Sequence, residues 1–134
     1  MRLWHQDLIS KLPRQQLLGQ HRECCALRGA GWGRKHSVVD YVFTHIPERL
    51  VAYHYLIMDE MKNRGYNPDK IWENPNYRGK VLGFQEEWCN KDFVNAWYQE
   101  ASIGKKKIYF EHDDNYYNEC IENLKEKGID IENV

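Results

Sequence analysis

The segment from Pro47 to Gly65 carries the strongest folding signal in this sequence, because a helix start, an apolar stripe and a helix stop follow in order. Proline fits the first turn of a helix, and glycine often follows the last turn. The pattern therefore predicts a helix with a wide apolar face, which belongs in the middle of a core. His54 lies within that face, so we expect it to be structural. The stripe consists of Leu50, Tyr53, Ile57 and Met61.

Three more segments have the features of helices. An amphipathic segment begins at Pro13 and continues to about Leu27. A second helix is predicted from an Asn90 cap to about Glu100, and a third over 114–127 after an Asp113 cap. The intervening stretches are rich in glycine, proline and asparagine, which predicts irregular loops. Residues 37–43 fit either a strand or a short helix.

Length and composition predict one domain. The chain has 134 residues, of which 42% are hydrophobic and 29% charged, as in ordinary globular proteins. We therefore expect a compact, mainly α single domain over residues 1–134. The longest apolar run, Leu50–Met58, is shorter than the roughly 20 residues that a bilayer needs. Residues 1–7 lack the apolar stretch of a signal peptide, so we expect a cytoplasmic protein with reduced cysteines and no membrane partner.

Charge is unevenly placed along the chain. The net charge of −1 excludes a uniformly cationic nucleic-acid coat protein. Residues 1–36 nevertheless carry seven basic side chains against two acidic ones, whereas residues 109–134 carry two against eight. The basic third fits a surface that binds a polyanion. A solvated helix surface accounts for the same charges, and asymmetry alone favours that interpretation.

Common catalytic and cofactor motifs are absent from the sequence. There is no Walker A loop, no GxGxxG, no HExxH and no CxxC. His21 and Cys24 lie three residues apart on the first predicted helix, which is a spacing that two metal ligands can use. Two ligands do not make a site, and the other histidines and cysteines lack motif spacing. We therefore expect no metal at these residues, with a His/Cys metal-binding domain as an alternative.

Five short segments of the chain occur in the order found in one DNA-repair family. They are Met1-Arg2, His21-Arg22-Glu23, Arg34-Lys35-His36, Asn63–Asn67 and Ile108–His112. On these segments the chain resembles the pyrimidine-dimer DNA glycosylases of the phage endonuclease V type. The resemblance extends over about residues 1–67 and 108–128. The opening residues Met1–Trp4 and the stretch Gly19–Cys25 are similar to a cellular branch of that family.

The resemblance implies an enzyme that uses its N-terminal α-amine as a nucleophile on the deoxyribose C1′ atom. The base leaves, a Schiff base forms, and β-elimination then breaks the strand. The α-amine of Met1 suits this step, because its ordinary pKa is about 8 against about 10.4 for lysine. Neighbouring Arg2 and Arg22 lower that pKa further, since like charges disfavour the protonated form. Glu23 is then the acid that stabilises positive charge and moves protons.

The same resemblance implies a lesion-bearing DNA duplex as substrate and a fold with its N-terminus packed between the first two long helices. Met1 and Glu23 are the expected catalytic residues, and no obligatory protein partner is expected. The family removes its initiator methionine, whereas the bulky Arg2 keeps Met1 here. An acidic end over 129–134 replaces the aromatic tail of the phage type. The expected DNA-contacting residues are Arg2, Arg22, Arg28, Arg34, Lys35 and His36.

Other functions stay open at this point. The chain can be a non-catalytic nucleic-acid-binding module that keeps the scaffold without the lesion chemistry. It can also be a metal-binding or small-molecule domain built on His21, Cys24 and other histidines. The acidic last helix is compatible with a structural interaction protein.

Overall fold

The fold is known from a computed structural model that describes residues 2–34 and 40–131. The described part of the chain is mainly helical, as predicted, and its β-pairing is one isolated bridge between Tyr77 and Phe84. Its α-helices are α1 (Arg14–Arg28), α2 (Pro47–Asn63), α3 (Gly79–Leu82), α4 (Lys91–Ser102) and α5 (Asp114–Glu126). Short 3₁₀ helices cover Gln6–Lys11, Asp40–Thr44 and Lys70–Glu73.

Helix α2 lies in the middle of the molecule, where it packs against both α1 and α4. Its stripe residues Leu50, Tyr53 and Ile57 are fully buried, and so is His54. Burying each such side chain stabilises the fold by roughly 1.5–3 kcal/mol relative to exposure. The prediction of a central helix is confirmed, and His54 is buried within its apolar face.

The caps predicted from sequence are present. The Asn90 side chain accepts hydrogen bonds from the first turn of α4, and the Asp113 side chain accepts one from Tyr116 N–H at the start of α5. The ambiguous segment at 37–43 is a 3₁₀ helix over its described residues, which start at Asp40, while 37–39 lie outside the described residues. The 3₁₀ helix at Gln6–Lys11 was not predicted, because such short turns have no periodic pattern.

The first residues of the described chain are packed into the core. Leu3 is fully buried and Trp4 is 5% exposed. Tyr53 on α2 donates a hydrogen bond to the Trp4 carbonyl at 2.6 Å, and Tyr116 on α5 donates one to the Leu3 carbonyl at 2.6 Å. The N-terminal segment therefore contacts α5 as well as the two helices expected from sequence. Met1 lies outside the described residues.

The remaining global expectations concern cysteines and membranes. All four cysteines are unpaired in this structure. Among the described residues, no helix combines the length and the apolar character that a membrane crossing requires.

Candidate functional site

One buried side chain of α1 holds the beginning of the chain. The Gln20 amide nitrogen donates to the Arg2 carbonyl at 2.9 Å, and its amide oxygen accepts from the Trp4 N–H at 2.6 Å. The Tyr53 hydroxyl of α2, whose proton is shared with the Trp4 carbonyl, lies 2.9 Å from the same oxygen. Gln20 is fully buried, so these bonds form away from competing water. We call the two hydrogen bonds from the Gln20 amide to the backbone of Arg2 and Trp4 the Gln20 clamp. Because residues three apart share a helix face, the Gln20 clamp lies beside Glu23 on α1.

Glu23 is half-buried on α1. Burial raises the pKa of its carboxyl, and the positive charges of Lys127 and Arg22 oppose that rise. Gly19 lies one turn earlier, where a Cβ atom would be 3.9 Å from Glu23 Oε1. The same Cβ atom would be 3.8 Å from Arg22 Nη2, so the Arg22 guanidinium and the Glu23 carboxyl both lie close to the Gly19 backbone. A half-buried carboxyl with a raised pKa is a candidate for accepting and donating protons.

Lys127 and Arg22 act electrostatically on the Glu23 carboxyl, and Arg2 packs against aromatic rings beside the N-terminal segment. The Arg2 guanidinium lies 5.9 Å from the Trp4 ring centroid and 5.8 Å from that of Tyr116. Lys127 Nζ lies 5.3 Å from the Trp4 ring centroid, and both Lys127 and Arg22 are exposed. Sequence reasoning missed Lys127, because it belongs to an acidic segment far along the chain. Its proximity to Glu23 depends on how α5 packs, which no local pattern reports.

Arg28 does not belong with the DNA-contacting residues, so that assignment is corrected. It is fully buried at the end of α1. Its guanidinium donates to the carbonyls of Trp72 at 2.9 Å, Asn74 at 2.7 Å and Tyr77 at 3.1 Å. The side chain therefore fixes the loop after α2 to the end of α1. A phosphate cannot reach it in this arrangement.

The other predicted DNA contacts lie after α1. Arg34 is exposed, and its Nε donates to the Ala30 carbonyl at 3.1 Å. Lys35 and His36 lie outside the described residues. Arg34 thus remains a predicted phosphate contact, positioned beyond the C-terminal end of the helix that carries Glu23.

Three side chains between α1 and α2 come close enough to be examined as a metal site. His21, Cys25 and His54 each offer one ligand atom, and these atoms lie within 4.8 Å of one another. Cys24, which the sequence suggested as a partner of His21, is instead fully buried in the core. The helix period explains the exchange, because residues four apart, such as His21 and Cys25, share a face as readily as residues three apart.

The hydrogen bonds of His54 do not fit a metal ligand. Its Nδ1 lies 3.0 Å from Arg28 Nη1, and a guanidinium only donates, so Nδ1 accepts. The ring proton is then on Nε2, from which it is donated to His21 Nδ1 at 2.8 Å. A metal at Nε2 would have to displace that proton beside a buried cation. Burial also raises the pKa of Cys25 to about 12, which favours the thiol over the metal-binding thiolate.

Fold and site together define a helical protein whose chain start is bonded to a helix that carries an accessible acid and several cations. The family model described as pyrimidine dimer DNA glycosylase matches residues 1–74, more than half of the 134-residue chain. The matched part contains the N-terminal segment, α1 and α2. The chain belongs to this family of DNA repair enzymes, and its substrate is therefore DNA. No curated protein and no solved structure matches the chain.

Proposed function

We propose that this protein is a DNA repair glycosylase with abasic-site lyase activity, which acts on pyrimidine dimers or related lesions through the α-amine of Met1. The observation that carries the proposal is the Gln20 clamp, which bonds the backbone of Arg2 and Trp4 beside Glu23. Consecutive Cα atoms are about 3.8 Å apart, and we therefore infer that the α-amine preceding Arg2 can reach the Glu23 carboxyl.

The proposed reaction begins when the neutral amine attacks C1′ of the damaged nucleotide. The new N–C1′ bond forms as the glycosidic bond breaks, and the base leaves with the bonding electrons. Loss of an amine proton and opening of the sugar ring give the Schiff base. Removal of a C2′ proton then expels the 3′ phosphate by β-elimination. The sequence of steps needs a nucleophile and a proton carrier, so we assign no metal or organic cofactor to it.

Glu23 is proposed to carry those protons. Its burial and consequently raised pKa suit a group that must both accept and return a proton within one turnover. Its anionic form would also stabilise the positive charge that develops on the sugar as the base departs. The Arg22 guanidinium, which lies on the same side of Gly19 as this carboxyl, would hold the neighbouring phosphate.

The cations are proposed to bind the phosphates on either side of the lesion. Arg22 is exposed next to Glu23, and Arg2 is held against Trp4 and Tyr116. Arg34 lies further along, where Lys35 and His36 follow in sequence. Charge-assisted bonds to phosphate position a duplex without reading its sequence.

Free cysteines suit a reducing compartment, so we place this activity in the cytoplasm.

Borohydride trapping tests the proposal. The purified chain, with Met1 verified as its first residue by intact mass, is mixed with duplexes that contain an abasic site or a pyrimidine dimer. Reduction of the Schiff base is expected to leave DNA covalently attached to the Met1 peptide. Acetylation of the α-amine should abolish the adduct. Glu23→Gln should retain DNA binding and lose cleavage, whereas Glu122→Gln, on exposed α5 surface, should retain both.

Two outcomes would contradict the proposal. DNA binding without any adduct, alongside an active control enzyme, would favour the non-catalytic nucleic-acid-binding module. An adduct on a lysine peptide that survives acetylation of Met1 would reject the α-amine as nucleophile.

A further inference from the structure

Three consecutive carbonyls at the start of the chain each accept a hydrogen bond from a different helix. The carbonyls of residues 2, 3 and 4 are bound, in that order, by Gln20 of α1 at 2.9 Å, Tyr116 of α5 at 2.6 Å and Tyr53 of α2 at 2.6 Å. Chain ends usually fray, because ordering a backbone costs conformational entropy. Gln20 and Tyr53 meet at the Gln20 clamp, whereas Tyr116 binds the segment from the other end of the sequence. Tyr116 is therefore a separate anchor of the chain start.

The Tyr116 hydroxyl is the donor in its bond to the chain start. A carbonyl oxygen only accepts, so the Tyr116 proton points to Leu3. The side chains of Tyr41 and Tyr116 are also hydrogen-bonded to each other, so Tyr41 donates to the Tyr116 oxygen. Burial raises the pKa of both hydroxyls, so both keep their protons at neutral pH.

His112 completes a directed chain of hydrogen bonds behind Tyr116. Its Nε2 lies 2.8 Å from the Tyr41 hydroxyl, whose own proton is already donated, so Nε2 carries the ring proton. The Gln6 N–H donates to His112 Nδ1 at 3.1 Å, which assigns the same tautomer from the opposite side of the ring. A buried network whose donors and acceptors are matched in this way is rigid. The chain therefore holds the Tyr116 hydroxyl in line with Leu3.

Helix α5 also holds the side chain of the residue before Leu3. The Arg2 guanidinium lies 5.8 Å from the Tyr116 ring centroid, and Arg2 Nη1 lies 3.9 Å from Cys120 Sγ. Leu3 is two residues from Met1, so their Cα atoms are at most about 7.6 Å apart. Rotation of the Leu3 peptide would move both preceding residues with it. The bond from Tyr116 therefore restricts the direction in which the chain starts.

We propose that Tyr116 is a positioning residue, whose bond to the Leu3 carbonyl orients the α-amine of Met1 for attack on the lesion sugar beside Glu23. This inference rests on the proposed function, because it concerns the same nucleophile. Tyr116 acts through the backbone of Leu3 and takes no part in the bond changes. Orientation matters for this step, since a nucleophile displaced by about 1 Å can react up to about a hundredfold more slowly.

Single-turnover trapping on a duplex with one abasic site tests the positioning role. Tyr116→Phe removes the hydroxyl and keeps the ring against Arg2. With DNA in saturating excess over protein, the rate constant of adduct formation should fall about five- to tenfold, because one hydrogen bond that holds the chain start is lost. The dissociation constant of the duplex should stay within about twofold of wild type, since every cation is kept.

Tyr55→Phe is the matched control. The Tyr55 hydroxyl also donates to a backbone carbonyl, that of Glu73 at 2.5 Å in the loop after α2. This variant loses the same kind of bond away from the chain start, so it should form the adduct at the wild-type rate. Melting curves, followed by circular dichroism, set an assay temperature at which both variants are folded.

The outcomes separate the positioning role from the proposed function. A wild-type rate constant in Tyr116→Phe, or equal slowing in Tyr55→Phe, overturns the positioning role and leaves the proposed function standing. Weaker DNA binding by Tyr116→Phe at an unchanged rate constant overturns it as well, by assigning the hydroxyl to binding. No adduct from the wild type, alongside an active control enzyme, refutes the proposed function and the positioning role with it.

Discussion

Acid should unfold this protein through its buried neutral histidines. His112 is 2% exposed, and burial lowers its pKa to about 3. In the unfolded chain a histidine titrates at about 6.5. Below that pH the histidine binds a proton in the unfolded state and stays neutral in the folded state. The unfolding free energy is therefore highest above about pH 6.5 and falls as the pH decreases toward 3.

The size of the effect follows from the two pKa values. At about pH 5 the unfolded state gains a factor of about 30 from protonating His112, which corresponds to about 2 kcal/mol of lost unfolding free energy. Burial lowers the pKa of His54 well below its usual value as well, so His54 adds to the loss in the same direction. Since domains are stable by only about 5–15 kcal/mol, the change is large.

Urea unfolding at about pH 8, 6 and 5 measures the effect. In His112→Gln, the dependence of the unfolding free energy on pH below about pH 6.5 should be smaller by the contribution of about one proton. Tyr41→Phe is the control, because it removes the hydroxyl 2.8 Å from His112 Nε2 and keeps the titrating ring. It should lower stability by about 1 kcal/mol at every pH and leave the slope intact. A His112→Gln variant with the wild-type slope would refute the reasoning.

Two further predictions concern the cations. Lys127→Gln should reduce the slope of log affinity for DNA against log salt concentration by about one, and it should raise the pKa of Glu23 in the pH–rate profile. Lys125→Gln is the control and should change neither quantity, so equal behaviour of the two variants would exclude Lys127 from the site. Arg28→Met should lower the unfolding free energy by about 3 kcal/mol or more, because the carbonyls of Asn74 and Tyr77 lose their hydrogen-bond donor. The salt dependence of DNA binding should stay unchanged. Denaturation measures the first effect and DNA titration below the unfolding temperature measures the second, and a reduced salt slope would show that Arg28 contacts phosphate.

The helices could be predicted because their signals are local. Pro47 starts α2, Asn90 caps α4 and Asp113 caps α5, each through a bond or restraint within a few residues. Glu23 was proposed as the acid because the His21-Arg22-Glu23 segment resembles the family, and that role stays a prediction.

What the sequence concealed depends on contacts between distant residues. An arginine in the last turn of a helix looks solvent-exposed, and only the carbonyls of the loop after α2 reveal that Arg28 is interior. Lys127 reaches the neighbourhood of Glu23 through the packing of α5. The choice between Cys24 and Cys25 as neighbour of His21 turns on about 100° of rotation around α1, which spacing does not settle.

The Gln20 clamp has a consequence for hydrogen exchange. Chain ends usually fray, and their amides exchange within seconds. Here the Trp4 N–H is bonded to a buried amide that also contacts Tyr53 in the central helix. Its exchange should therefore require opening of the core itself, which places the fourth residue of the chain among the slowest amides of the molecule.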